Sequence, residues 1–250
     1  MKENYDQSKQ VLIFSHIPKT AGSTIRQIIQ NQYEKKSMIR YLKMGEASEE
    51  RLARMKVLYG HCRFGVHHQI SQPFKYITML RDPIERVIST YYYAQRKPEN
   101  RMHERATTMD FMEFIQEEIK QNNPAIVNHQ TRFVSGEKNP NLEMAKHHIQ
   151  EYYAVVGLTE MFNESIFLMK ESLGWDNIDY ISSNVTKNRP KQENFSKEAI
   201  SLIREHNQLD LELYDYAKHI LLDRLCSLPT KAKEELENYS TRVSIQGKEE

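Results

Sequence analysis

Two short segments carry residue types whose spacing suits the binding of anions. The first reads His16-Ile17-Pro18-Lys19-Thr20-Ala21-Gly22-Ser23-Thr24. A helix opening at Ser23 or Thr24 has backbone N–H groups with no intrahelical partner, at the positive end of the helix dipole. Ala21 and Gly22 let the backbone approach a ligand, Lys19 adds a full charge, and Thr20, Ser23 and Thr24 complete a turn able to cradle a phosphate or sulfate. The plainer alternative is an ordinary strand-to-helix turn with a Ser/Thr cap and a solvated lysine. The order strand, loop, helix favours the anion site. It is not a Walker A loop, which places lysine after its second glycine; Lys19 instead precedes Gly22.

The second segment reads Arg81-Asp82-Pro83-Ile84-Glu85-Arg86-Val87-Ile88-Ser89 and continues into Thr90-Tyr91-Tyr92-Tyr93. An arginine fork with a nearby hydroxyl suits a terminal phosphate dianion, so Arg81 and Ser89 are the candidates. Taken singly, a pairing of Arg81 with Asp82 or Glu85 accounts for this segment, and the tyrosines are packing. Beside the first loop, the anion reading is the stronger.

Both segments need strands to carry them. Val11–Ser15 is a short apolar run before the first loop, and Ile25, Ile28 and Ile29 after it share a helical face. Phe74–Leu80 reads as a buried strand that Arg81-Asp82-Pro83 breaks. Pro83 suits a first helical turn, and Ile84, Val87, Ile88 and Tyr91 continue that helix. Further helices are expected over 46–55, 109–120 with Thr108 as cap, 124–135 ending at Gly136, 142–153, 162–173, and 196–228 with a break near Asn207. Further strands are expected over 57–59, 155–158 and 179–183. Short strands alternating with helices predict an α/β fold with a parallel sheet, in which ligands sit at the carboxyl ends of strands.

Composition excludes several classes. With 250 residues, 39% hydrophobic and 28% charged, the chain is globular rather than disordered. It reads as one domain over 1–229 and a polar tail over 230–250, with a short surface helix over 231–239. The 35 Lys+Arg nearly cancel the 34 Asp+Glu, so no global field marks a nucleic-acid binder and any anion site must be local. Cys62 and Cys226 form neither a disulfide framework nor a CxxC pair, and no metal-ligand cluster is evident. No apolar run approaches the ~20 residues of a membrane span, nor does the N-terminal segment contain a signal-peptide core. A cytoplasmic protein is therefore expected.

HIPKTAGST resembles the 5′-phosphosulfate loop of sulfotransferases that use 3′-phosphoadenosine 5′-phosphosulfate (PAPS), and RDPIERVISTYYY resembles their 3′-phosphate motif. With Tyr59-Gly60-His61-Cys62-Arg63-Phe64 and YITMLRDP in the same order, the chain is most similar to the glycan 2-O- and 6-O-sulfotransferases of the heparan-sulfate type. HQTRFVSG (129–136) and VVGLTE (155–160) fit that family more loosely. The resemblance implies a P-loop-NTPase-like, three-layer sulfotransferase fold. It also implies PAPS as co-substrate without a metal, and a hydroxyl-bearing acceptor that is a carbohydrate.

By the same resemblance Lys19 is the catalytic lysine, Gly22, Ser23 and Thr24 hold the 5′-phosphosulfate, and Arg81 and Ser89 hold the 3′-phosphate. Histidine, with an ordinary pKa near ~6.5, suits removal of a hydroxyl proton. His61 is favoured as the base from its Gly-His-x-x-Phe setting, with His16, His67 and His68 as rivals; surface or capping roles are favoured for His67, His68, His147 and His148. Gln130-Thr131-Arg132 could face an acceptor or solvent. Lys187 and Arg189, in a late basic loop, are equally candidates for ligand contact or none. Two other functions fit parts of the pattern. A P-loop nucleotide or small-molecule kinase would use Asp82 for Mg²⁺, and a non-catalytic relative would bind nucleotide without turnover.

Overall fold

The computed structural model of the chain describes residues 10–180 and 192–246. In chain order the elements are β1 (Val11–Ser15), α1 (Gly22–Gln32), β2 (Met38–Arg40), α2 (Glu49–Ala53), β3 (Val57–Gly60), β4 (Phe74–Leu80), α3 (Pro83–Arg96) and α4 (His103–Thr108). Then come α5 (Phe111–Lys120), α6 (His129–Ser135), α7 (Leu142–Tyr152), β5 (Tyr153–Leu158), α8 (Phe162–Leu173), α9 (Lys197–His206), α10 (Gln208–Cys226) and α11 (Thr230–Gln246). The strands form one parallel sheet in the order β2-β3-β1-β4-β5, flanked by helices. No described helix is long and apolar enough to cross a membrane.

The central place of β1 follows from its residues. Val11, Leu12, Ile13 and Phe14 are each 1% exposed or less, and such burial contributes about 1.5–3 kcal/mol per side chain before entropy is counted. A strand apolar on both faces fits only between two others. In register, Ile13 lies beside Leu58 of β3 and Tyr76 of β4. The chain passes to β2 and β3 on one side of β1 and then to β4 on the other. That reversal is a topological switch point, the place where parallel sheets of this kind form a crevice at the carboxyl ends of their strands.

Side chains lock those ends. Ser15 Oγ donates to Cys62 O (2.6 Å), and Thr78 Oγ1 donates to Ser15 O (2.7 Å). Thr159 Oγ1 donates to Leu80 O (3.0 Å), and His16 N donates to Gly60 O (2.8 Å). A second apolar cluster joins α3, α4, α5 and α9 through Ile84, Val87, Ile88, Ala106, Phe114 and Ile203.

Several elements differ from the sequence expectation. Residues 38–40 pair with β3 as a strand too short to show a period. The helix expected from 109 begins at Phe111, because Asp110 and Glu113 form a reciprocal capping box. The one expected over 124–135 is confined to His129–Ser135, since Asn128 takes a left-handed φ of 44°; Gly136 ends it at φ 78°, as expected. Asp179 and Tyr180 are not strand, and 181–183 lie outside the described residues. The polar segment after Pro229 continues as α11 well beyond residue 239. Tyr239, 4% exposed, donates its hydroxyl to Ile178 O (3.1 Å), and Arg242 pairs with Asp179 (2.6 Å).

One buried carboxylate joins distant parts of the chain. Asp210 of α10, fully buried, accepts from Gln130 N (3.0 Å), Thr131 N (2.7 Å) and Thr131 Oγ1 (2.8 Å) at the start of α6. Asp210→Ala strands these three donors and should lower stability in urea unfolding by about 3–5 kcal/mol. A loss below about 1 kcal/mol would show that the contact is dispensable.

Candidate functional site

The first loop leaves β1 and turns sharply. Lys19 (φ 72°) and Ala21 (φ 59°) both take positive φ, which costs energy for residues with a side chain. Thr20 closes the turn by donating Oγ1 to Ile17 O (2.8 Å). Its side chain is therefore turned inward, leaving the backbone as the part it can offer a ligand. The left-handed Ala21 makes α1 begin at Gly22, one residue earlier than the spacing suggested, with no side-chain cap and no acidic residue in its first turn. A Cβ on Gly22 would lie 1.9 Å from Cδ2 and Nε2 of His16, so the imidazole occupies the space a side chain would need. Thr24 is buried and Ser23 half-buried.

Arg81 stands at the end of β4, next to β1. Its Nη1 donates to Lys19 O (3.3 Å), so the two loops meet. Its Nη2 lies 3.5 Å from Glu85 Oε2 and its Nε 3.9 Å from Glu160 Oε1. Of the carboxylates weighed from sequence, Glu85 is the one paired with Arg81. Asp82 instead caps α3, its Oδ1 accepting from Ile84 N (3.0 Å) and Glu85 N (2.9 Å). Burial lowers the Arg81 pKa, while Glu160 and Asp82 oppose the shift. On α3, Glu85, Ser89 and Tyr93 fall at i, i+4 and i+8 and share a face. Ser89, half-buried, lies between the residue that meets Arg81 and the one that meets Lys19, for the Lys19 ammonium is 4.3 Å from the centroid of the Tyr93 ring.

The histidines separate into two groups. His61, exposed, faces His16 O through Nδ1 (3.0 Å), and the two rings are 4.6 Å apart. A carbonyl can only accept, so that contact puts the proton on Nδ1 and leaves the lone pair on Nε2. Burial, with His61, Arg26 and Lys19 nearby, pushes His16 down to about 3, so it is neutral at physiological pH. His67 contacts Tyr76 Oη through Nδ1 (2.9 Å) inside an aromatic group with Phe64 and Phe74, and burial lowers it to about 4. His68 is exposed beside it. His148 stacks on Phe64 at 3.6 Å and meets Val134 O. His16 and His61 thus flank the first loop, whereas His67 and His148 belong to aromatic packing.

Gln130, Thr131 and Arg132 are buried, not solvated. Gln130 grips the Arg81 peptide at both ends, accepting from its N–H (2.9 Å) and donating to its carbonyl (2.8 Å). Glu160 accepts from Asp82 N (3.1 Å) and from Tyr214 Oη (2.9 Å). Sequence reading missed the roles of Gln130, Glu160 and Tyr93. The first two lay within recognised motif fragments, but their partners are remote in the chain. Lys187 and Arg189 lie outside the described residues. Among the described residues no group of three or more His, Cys, Asp or Glu could hold a metal.

The model of the sulfotransferase family matches residues 5–217. No curated protein matches the chain. Among solved structures, mouse sulfotransferase SULT7A1 complexed with PAP aligns with a TM-score of 0.49 at 12% identity, covering 90% of this chain and 91% of that one.

Two half-buried, neutral histidines make stability depend on pH. Folded values near 3 and 4 for His16 and His67 lie below the unfolded value of 6.5. The unfolded chain therefore binds more protons as pH falls, and the contribution present above pH 6.5 is lost between there and about 3. Each such group can add a slope of at most about 1.4 kcal/mol per pH unit. Urea unfolding should show stability falling below pH 6.5, with a shallower fall in His16→Phe, which keeps a flat ring over Gly22. An unchanged slope would remove His16 from this account.

Proposed function

The chain belongs to the sulfotransferase family, and we propose that its crevice binds PAPS and passes the sulfuryl group to an acceptor hydroxyl, by motif resemblance that of a saccharide. The observation that carries this reading is the Arg81 Nη1 to Lys19 O contact at 3.3 Å, which joins the two anion-binding loops. Backbone N–H groups at Gly22 and Ser23, with the α1 dipole behind them, suit the 5′-phosphosulfate; Thr24, whose N–H donates to Ala21 O (3.1 Å), is proposed to add its hydroxyl. Thr20 and Ala21 shape that turn. Arg81 and Ser89 are assigned to the 3′-phosphate in this reading, with Glu85 and Glu160 pairing with the guanidinium until a dianion shares it. Lys187 and Arg189 are proposed as further ligand contacts.

The transfer is in line. His61, with its lone pair on Nε2, takes the hydroxyl proton as the acceptor oxygen attacks sulfur. The bond from sulfur to the bridging phosphate oxygen breaks, and its electron pair stays on 3′-phosphoadenosine 5′-phosphate (PAP). Lys19 meets the charge growing on that oxygen and on the sulfonate, where a fixed cation lowers the barrier most. Asp82, engaged in capping α3, argues against a kinase that would use it for Mg²⁺.

Incubation with ³⁵S-labelled PAPS and a panel of glycans should yield a labelled product. PAP should raise the melting temperature without Mg²⁺, more than ATP·Mg²⁺ does. The opposite nucleotide preference would support the kinase, and PAP binding without labelled product from any acceptor would support the non-catalytic relative. Lys19→Ala and His61→Ala should each reduce kcat at least ~100-fold with melting unchanged. Arg81→Ala should weaken PAP binding about tenfold or more; unchanged affinity would remove Arg81 from the site.

A further inference from the structure

We propose that Tyr93 is a positioning residue for Lys19: the face of its ring holds the lysine ammonium over the crevice. This deepens the sulfotransferase reading and rests on it for its catalytic consequence. Tyr91, Tyr92 and Tyr93 follow one another on α3, but their surroundings differ. Tyr91 is 6% exposed and packs against Phe111 and Phe114, and Tyr92 approaches Phe195. Tyr93 is 36% exposed, and its ring centroid is 4.3 Å from Lys19 Nζ, within the range of a cation–π contact.

The rest of Lys19 is fixed independently. Its backbone lies at φ 72°, and its carbonyl accepts from Arg81 Nη1. These contacts hold the main chain, and the direction of the side chain is set separately. A lysine stem has four such torsions and loses considerable freedom when its head is placed. The ring supplies a preferred resting point on the same helix face as Ser89 and Glu85.

The chemistry of the ring matters. A carboxylate at this position would neutralise the ammonium and compete with the sulfonate for it. An aromatic face attracts the cation through its quadrupole and leaves the formal charge in place. The ring contact itself therefore leaves the ammonium its full charge for the developing oxyanion.

The test uses the full chain with Tyr93→Phe, which keeps the ring face, and Tyr93→Leu, which removes it. The first readout is the rate at which an amine-directed acylating reagent modifies Lys19, followed by mass spectrometry of the Lys19 peptide. The second is steady-state kinetics with PAPS and the acceptor identified by sulfate labelling. Tyr93→Leu should change Lys19 labelling and lower kcat about fivefold or more, with a smaller change in KM for PAPS, while Tyr93→Phe stays near wild type in both. A fivefold loss shared by Tyr93→Phe would overturn the ring-face assignment. Wild-type labelling and kcat in Tyr93→Leu would overturn the contact altogether. Ring-dependent labelling in a protein that sulfates no acceptor would support the placement of Lys19 while refuting the transferase reading, so the two failures are distinguishable.

Discussion

The site depends on a single adjacency: β1 and β4 are neighbours in a parallel sheet, so their carboxyl ends open side by side. The Arg81 to Lys19 carbonyl contact is the local expression of that adjacency. Were the strands separated by another, the loops would be about 9–10 Å apart, at ~4.8 Å per strand, and no guanidinium could reach across. The adjacency is itself a hydrophobic result. Val11 to Phe14 have no polar face to show to water, and a central position between β3 and β4, with helices over both faces of the sheet, buries them.

Strand placement alone does not fix a side chain to within a hydrogen-bond length. Arg81 follows the last residue of β4, beyond the ladder, and its peptide is held by Gln130. Gln130 is in turn placed by Asp210, some 80 residues further along the chain. The chain of contacts from α10 through α6 to the tip of β4 is buried and polar, and each link removes a donor or acceptor that would otherwise be stranded. The C-terminal half of the described chain thus supports a site whose described candidate residues come from the first hundred.

What the sequence made legible divides along the same line. β1, β4, the helix after each and the two loops were readable because their signals are local: an apolar run, a proline after Arg81-Asp82, a helical face of isoleucines. Phe74–Leu80 appears with the boundaries its composition suggested. Interactions whose partners are far apart in sequence were not readable. Gln130 looks like any polar helical residue until Arg81 is placed beside it, and Glu160 gains meaning only next to Asp82 and Tyr214. Tyr93 sits in a run of three tyrosines, and sequence offers no reason to distinguish the one that turns to Lys19. β2, with three residues, has no period to read.

The electrostatics of the crevice explain how a chain of formal net charge +1 can present an anion site. The long-range field of such a molecule is weak, so attraction must come from groups within a few ångström of the ligand. On the Arg81 side the charge is already balanced by Glu85 and Glu160, an arrangement suited to a group whose charge does not change during reaction. On the Lys19 side stand a helix start without acidic residues in its first turn, an aromatic face that leaves the ammonium its charge, and a histidine kept neutral by burial. That side can respond to charge that appears only as a bond breaks. On the proposed reading, that division assigns the reacting end of a doubly anionic donor to the first loop and its spectator phosphate to the second.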